Sequence, residues 1–178
     1  MVRMLGMAGD APVEILIRGS RGSPFELSGL PPVRARTTAD RVSAAVTATG
    51  LGPRPHGVSI RVRPAVNGRP SAGLDLPIAL GVLLAMLGRR DLAVPHLIAH
   101  GRLDPEGGLH AAPVLHPRVP PEPWVGRFWT PVETPPRPDE DAVLGIFDCE
   151  DLPTAWAVLE RLPALEVAVA ARGRPGVS

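Results

Sequence analysis

Hydrophobic and polar positions alternate cleanly in two stretches of this 178-residue chain. In Pro12–Arg18, Val13, Ile15 and Ile17 alternate with Glu14, Leu16 and Arg18. In Val58–Arg63, Val58, Ile60 and Val62 alternate with Ser59, Arg61 and Arg63. A period of two puts each trio on one face of a strand. A third stretch does not alternate at all: the 12 residues from Leu76 to Leu87 carry no charge. A helix that is apolar all round is buried, and this run is shorter than the roughly 20 residues a bilayer requires. It is predicted to be the central helix of a globular core. Asp75 stands where an N-cap belongs, and Pro77 falls in the first turn, where its missing N–H is tolerated. A fourth pattern lies in Val33–Thr49. Val42, Ala45, Val46 and Thr49 recur at i, i+3, i+4 and i+7, with Pro32 suited to N1 and Gly50 to the C-terminal stop.

The remaining patterns are shorter. Ser20–Pro24 reads as a turn and Phe25–Ser28 as a short strand, so that Pro12–Ser28 is expected to form a hairpin. Leu97–Leu103 is a strand, Asp104–Gly108 a turn, and Leu109–Leu115 a weaker returning strand. Between Pro117 and Pro138 there are eight prolines, which deny a sheet its N–H donors and leave room for one short strand at Arg127–Thr130. Ala142–Phe147 is a further strand. Asp151 or Thr154 caps a helix running to about Leu162, with Leu152, Ala155, Trp156 and Leu159 inward, and Leu165–Ala170 is a last short strand. The expected organisation is one domain over residues 1–178: a core at 10–117, a Pro-rich irregular segment at 118–141, and a strand–helix part at 142–170.

Composition changes the picture mainly through what is missing. All 19 basic residues are arginine; there is no lysine. A P-loop needs a lysine at the phosphates, so no standard nucleotide site exists in these residues, and a Schiff-base lysine is excluded. No cofactor is expected. Net charge is +1, and the one cysteine, Cys149, permits no internal disulfide. No leader-like segment is evident, and a cytoplasmic protein without membrane association is the expectation. Charge is nonetheless uneven. Residues 34–69 hold seven arginines and one acid, whereas residues 104–166 hold 12 acids and four arginines. Arg34, Arg36, Arg41, Arg61, Arg63 and Arg69 are therefore candidates for a nucleic-acid-binding face. No aromatic residue is interleaved with them, which argues against a base-stacking platform.

The order of several motifs resembles the N-terminal domain of magnesium-chelatase (ChlI)-like, ComM-type AAA+ proteins. The matching segments are Val13–Arg18, Phe25–Pro31, Asp40–Val46, Val58–Pro64, Leu74–Leu80 and Gly101–Pro117. Leu74-Asp-Leu-Pro-Ile-Ala-Leu80 is the most specific of them. The resemblance implies an α+β fold of the ribosomal protein S five domain two type, a mixed sheet with helices packed on one side. The proteolytic domain of Lon protease shares that fold. The ATPase module of the family has no counterpart in these residues. The loop before the central helix also departs from the family, and its Pro-Ser-Ala-Gly looks like the surroundings of a Lon-type nucleophile. Carried over residue by residue, Ser71 takes the nucleophile position and His116 the position of the general base.

For Ser71 the plainer reading is a tight turn whose hydroxyl caps or is solvated. A Ser71–His116 dyad is the catalytic alternative, though no third group is evident to orient the imidazole. His96 and His100 lie four apart in a predicted strand, about 13 Å from each other, too far to share a metal ion. Asp75 reads as a cap rather than a catalytic acid. The expected function is thus a non-catalytic interaction or assembly domain, a stand-alone relative of the chelatase-like N-terminal domain. It would act on an unidentified protein partner, with a Lon-like peptidase or a weak nucleic-acid binder as alternatives. The sequence leaves the oligomeric state open.

Overall fold

The structure is a computed structural model that describes residues 1–9, 11–19, 24–89, 97–110, 112, 127–130 and 147–161. The elements in order are β1 (Val2–Ala8), β2 (Ala11–Gly19), β3 (Glu26–Ser28), α1 (Pro32–Ala48), β4 (Val58–Arg63) and a 3-10 turn (Ala72–Leu74). There follow α2 (Asp75–Met86), β5 (Leu97–Ala99), β6 (Arg102–Leu103), β7 (Leu109–His110), β8 (Arg127–Thr130) and β9 (Phe147–Asp148). A further helix, α3, occupies residues 152–161. The main sheet has the order β3-β4-β2-β1-β5-β8-β9, and β6 pairs with β7 in a small second sheet. Antiparallel pairs join β1 to β2 and β2 to β4; parallel pairs join β3 to β4 and β1 to β5. The class is α+β, with a mixed sheet as expected.

The two alternating stretches are strands with the predicted faces. Val13, Ile15 and Ile17 of β2 and Val58, Ile60 and Val62 of β4 are all buried, in one core with α1 and α2. α2 is central: Leu76, Ile78, Ala79, Leu80, Val82, Leu83 and Leu84 are each at most 1% exposed, and Pro77 and Gly81 between them are buried. Gly81 permits its closest approach to the sheet, because a Cβ there would come within 2.5 Å of Ile17 Cδ1 and 3.0 Å of Met4 Cγ. α1 starts with Pro32 at N1, buries Ala35, Thr38, Val42, Ala45 and Val46, and stops before Gly50, whose φ is 68°. In α3, Leu152, Ala155, Trp156 and Leu159 join the same core, and Asp151 Oδ1 accepts the Thr154 N–H at 2.7 Å as its cap.

Two expectations are corrected and one unforeseen strand is added. The hairpin of Pro12–Ser28 does not form, because β4 lies between β2 and β3. β3 instead pairs in parallel with β4, Leu27 opposite Ile60, and α1 is the crossover that a parallel pair requires. The predicted strand Leu97–Leu103 is broken at His100–Gly101, where the backbone turns to bond the start of α2 and then enters the second sheet. Most instructive is β1, which the sequence pattern does not reveal. It lies between β2 and β5 and is covered on both sides: Val2, Met4 and Ala8 face the main core, while Leu5 and Met7 join Ile98 in a smaller cluster. A strand buried on both faces has no alternation to read. The expected segments at 111, 113–115, 142–146 and 165–170 lie outside the described residues.

Candidate functional site

The polar groups of the core converge where the chain enters α2. Asp75 does not cap the helix. Leu74, the residue before it, is already helical at φ −84° and ψ −9°, because the 3-10 turn runs straight into α2. Cap geometry needs an extended residue there. Asp75 is instead the first helical residue, fully buried, and its carboxylate points sideways to α1. Arg41 Nε donates to Asp75 Oδ2 at 3.0 Å and Arg41 Nη2 to Oδ1 at 3.1 Å, a bidentate pair. The Leu103 N–H donates to Oδ2 at 3.2 Å. Burial pushes the Asp75 pKa up from its ordinary value, while Arg41 and the bonds from Leu103 and Thr38 oppose that rise. One carboxylate thereby ties α1, α2 and β6 together.

The backbone around it is equally engaged. Leu76 N–H donates to Gly101 O at 3.0 Å, and Gly101 N–H to Gly73 O at 2.9 Å. Leu74 N–H donates to Ser71 O at 3.0 Å. His100 is 2% exposed and its ring lies directly on Gly73, where any Cβ would overlap it. His100 Nε2 is 3.2 Å from Ala112 O. Among the described residues Nδ1 has no hydrogen-bond partner, although the Met7 carbonyl is near enough to favour a protonated ring. Burial dominates and holds the His100 pKa below its ordinary value, so the ring is neutral at neutral pH. The sequence pattern placed His100 in a strand; what marks it is the small residue that follows, Gly101, which lets the backbone leave the sheet.

Ser71 is 5% exposed and makes no capping hydrogen bond. His116, its expected partner, lies outside the described residues, as does His96. The histidine that the fold brings near the Ser71 turn is His100, two residues further along at Gly73. Among the described residues, no group of three or more His, Cys, Asp or Glu could hold a metal ion. A second polar cluster closes the 104–108 turn. Asp104 Oδ1 accepts from Glu106 and Gly108, and Oδ2 lies 2.8 Å from His110 Nε2. The bond to His110 is the chief cause that lowers the Asp104 pKa.

The six candidate arginines do not share a face. Arg41 is committed to Asp75. Arg34 belongs to the helix layer, with Nη1 donating to Arg69 O at 2.8 Å, and Arg36 lines an open groove between α1 and β3 with Phe25, Leu27 and Asp40. Arg61 and Arg63 alternate with the core-facing residues of β4, so they project from the side of the sheet opposite the helices.

A mixed sheet backed by helices, with a central apolar helix fastened at its start by a buried carboxylate, defines the chain as a compactly cored α+β domain. The family described as subunit ChlI of Mg-chelatase matches residues 13–119, and the chain belongs to that family. The match takes in β2, α1, β4, α2 and the residues that lock Asp75. Among curated proteins no match is found. Among the described residues, no helix is long and apolar enough to cross a membrane.

Proposed function

We propose that this ChlI-family domain works by binding and assembly rather than by catalysis, as a relative of the ComM-type N-terminal domain acting in the cytoplasm. The observation that carries the reading is the way the polar groups at the start of α2 are committed to one another. Asp75 is neutralised by Arg41, His100 is neutral and walled by Gly73, and Ser71 is buried without a hydrogen-bonded base among the described residues. A serine without such a base is an ordinary alcohol at neutral pH. These groups hold three elements in place, which is what a rigid docking scaffold requires.

The test has two readouts on the same protein. A serine-directed fluorophosphonate should leave Ser71 unmodified, as judged by mass spectrometry of its peptide. Sedimentation velocity with an added Mg-chelatase ChlI subunit should show a heavier species than either component alone. Stoichiometric labelling of Ser71, lost in His116→Ala, would replace this reading with the Lon-like hydrolase. A single light boundary at every ratio would remove the assembly role.

A further inference from the structure

We infer that the free edge of the main sheet, β3 with the groove beside it, is where two copies of this chain pair about a two-fold axis. The inference goes beyond the assembly reading above, since it concerns the chain alone and names both the surface and its occupant.

β3 is the end strand of the main sheet: β4 bonds one side of it, and among the described residues no strand bonds the other. Such an edge is a template for a further strand. Beside it runs the open groove, about 560 Å³, floored by Leu27 of the strand, Phe25 just before it, and Ala35 and Ala39 of α1. The two alanines, one turn apart, are too small to fill it. Charge marks the rim on both sides of the sheet. On the helix side, Arg36 and Asp40 stand one turn apart at the groove, both exposed. On the other side, Glu26 of β3 and Arg61 of β4 are exposed, and the short Ser28 is opposite Arg61. Among the described residues, none of these four side chains has a hydrogen bond or ion pair. Arg36 and Asp40 stay apart although their i, i+4 spacing permits a pair.

Charge complementarity selects a second copy. β3 and β4 are parallel, so α1 between them runs back along the sheet. Arg36 therefore lies toward the Ser28 end of β3, and Asp40 toward the Phe25 end. A two-fold axis perpendicular to the sheet at Leu27 sets β3 antiparallel to its copy, with Glu26 opposite the partner's Ser28. The same rotation brings the partner's Asp40 to the level of Arg36. It also sets the partner's Glu26 beside Ser28, two strand spacings or about 9.6 Å from Arg61. Ser28 is too short to block the guanidinium between them. One register thus answers all four charges, twice per dimer, as a self-complementary surface requires. A parallel copy would put like charges together, and a strand of one charge sign would answer only half of them. A three-residue ladder and one groove lie at the small end of specific interfaces, so the dimer is reversible and concentration-dependent.

The experiment is sedimentation velocity on the full chain alone, from about 5 to about 500 μM, at low salt so that exposed charges are not screened. It is repeated with Arg36→Asp, with Asp40→Arg, and with an equimolar mixture of these two variants. Circular dichroism checks that each is folded; all the substituted side chains are exposed. The expected mass rises from one chain toward two across the range. Each single variant should raise the dissociation constant about tenfold, because like charges then face each other twice per dimer. The mixture should restore pairing, since one copy then carries two acids at these positions and the other two bases. On the open side, Glu26→Arg should weaken the dimer, and Glu26→Arg combined with Arg61→Glu should recover it. A single light boundary at every concentration overturns the inference. So does any single variant that pairs as well as the full chain, or a mixture or double variant that stays monomeric. Growth beyond two chains also overturns it, by making the contact head-to-tail. In each case the Ser71 labelling and the sedimentation with an added ChlI subunit are read separately, so failure here is separable from failure of the binding-module reading.

Discussion

The two faces of the sheet are built from the same strands and have opposite fates. On the helix side, Val2, Met4, Val13, Ile15, Ile17, Val58, Ile60 and Val62 are each at most 2% exposed. On the other side Leu5, Met7 and Ile98 close the β1–β5 part, and the β2–β4 part keeps exposed arginines around a half-buried leucine. Alternation in a sequence records this asymmetry between faces, not strand propensity as such. β2 and β4 alternate because one face of each is open. β1 does not, because from Met4 to Ala8 neither of its faces is.

The comparison breaks most severely at the Arg41–Asp75 ion pair on the helix side. Arg41→Met leaves the Asp75 carboxylate buried without its cation and should cost about 3–5 kcal/mol at neutral pH by urea unfolding. The sign of its pH dependence follows from burial. Because the folded pKa of Asp75 is raised above 3.8, the fold holds a proton that the unfolded chain releases between 3.8 and the folded value. Stability from this group is therefore greatest in acid and is lost as pH rises through that window. Removing Arg41 raises the folded value further, so the deficit of Arg41→Met should shrink on acidification. An equal deficit at pH 7 and in acid would mean that the pair is not desolvated.

Next in size is the apolar interior. Leu80→Ala should cost about 2–5 kcal/mol; a loss under about half a kcal/mol would place α2 on the surface. His100 sharpens the contrast through pH. Its folded pKa is lowered from 6.5, so as pH falls below 6.5 the unfolded chain takes up a proton before the fold does, and stability declines until the folded ring also titrates. His100→Gln should flatten that part of the stability–pH profile, measured from pH 7.5 to 5 by thermal or urea unfolding, whatever it does to stability at pH 7.5. An unchanged slope would show that His100 is already charged or solvated in the fold. The smallest effect is expected on the open half. Leu16→Thr should change unfolding free energy by less than about 1 kcal/mol. A loss of core size there would mean that the open half is covered in solution.

Much of the fold was legible for one reason: single-face burial leaves a period. The strands at β2 and β4, the stripe of α1 and the inward face of α3 all carry such a period, and α2 is legible instead from its unbroken charge-free run. What was hidden depends on partners far away in sequence. The β3–β4 pairing replaces a hairpin because α1 supplies the crossover, and a three-residue strand holds too little pattern to name its neighbour. Asp75 looked like a cap because Asp before an apolar run usually is one. Only the 3-10 turn ahead of it, and Arg41 lying 34 residues earlier, make it a buried anchor. The arginine run of residues 34–69 looked like one face because sequence proximity hides that α1 and β4 project from opposite sides of the sheet. His100 was legible as a residue but not as a site, since its neighbour Gly73 comes from another loop.

The start of α2 carries one more consequence, for the field of the helix itself. The aligned peptide dipoles of a helix leave about half a positive charge at its N-terminus, which in many folds receives the phosphate of a ligand. Here that end is sealed inside the protein. Its Leu76 N–H is taken by the Gly101 carbonyl, and Asp75, with Arg41 behind it, supplies the negative charge from within the chain. The helix has its own internal anion. No outside phosphate can compete for that pole without first unfastening α1 and β6, so any anion this domain binds must be met by side chains at its surface rather than by the helix at its centre.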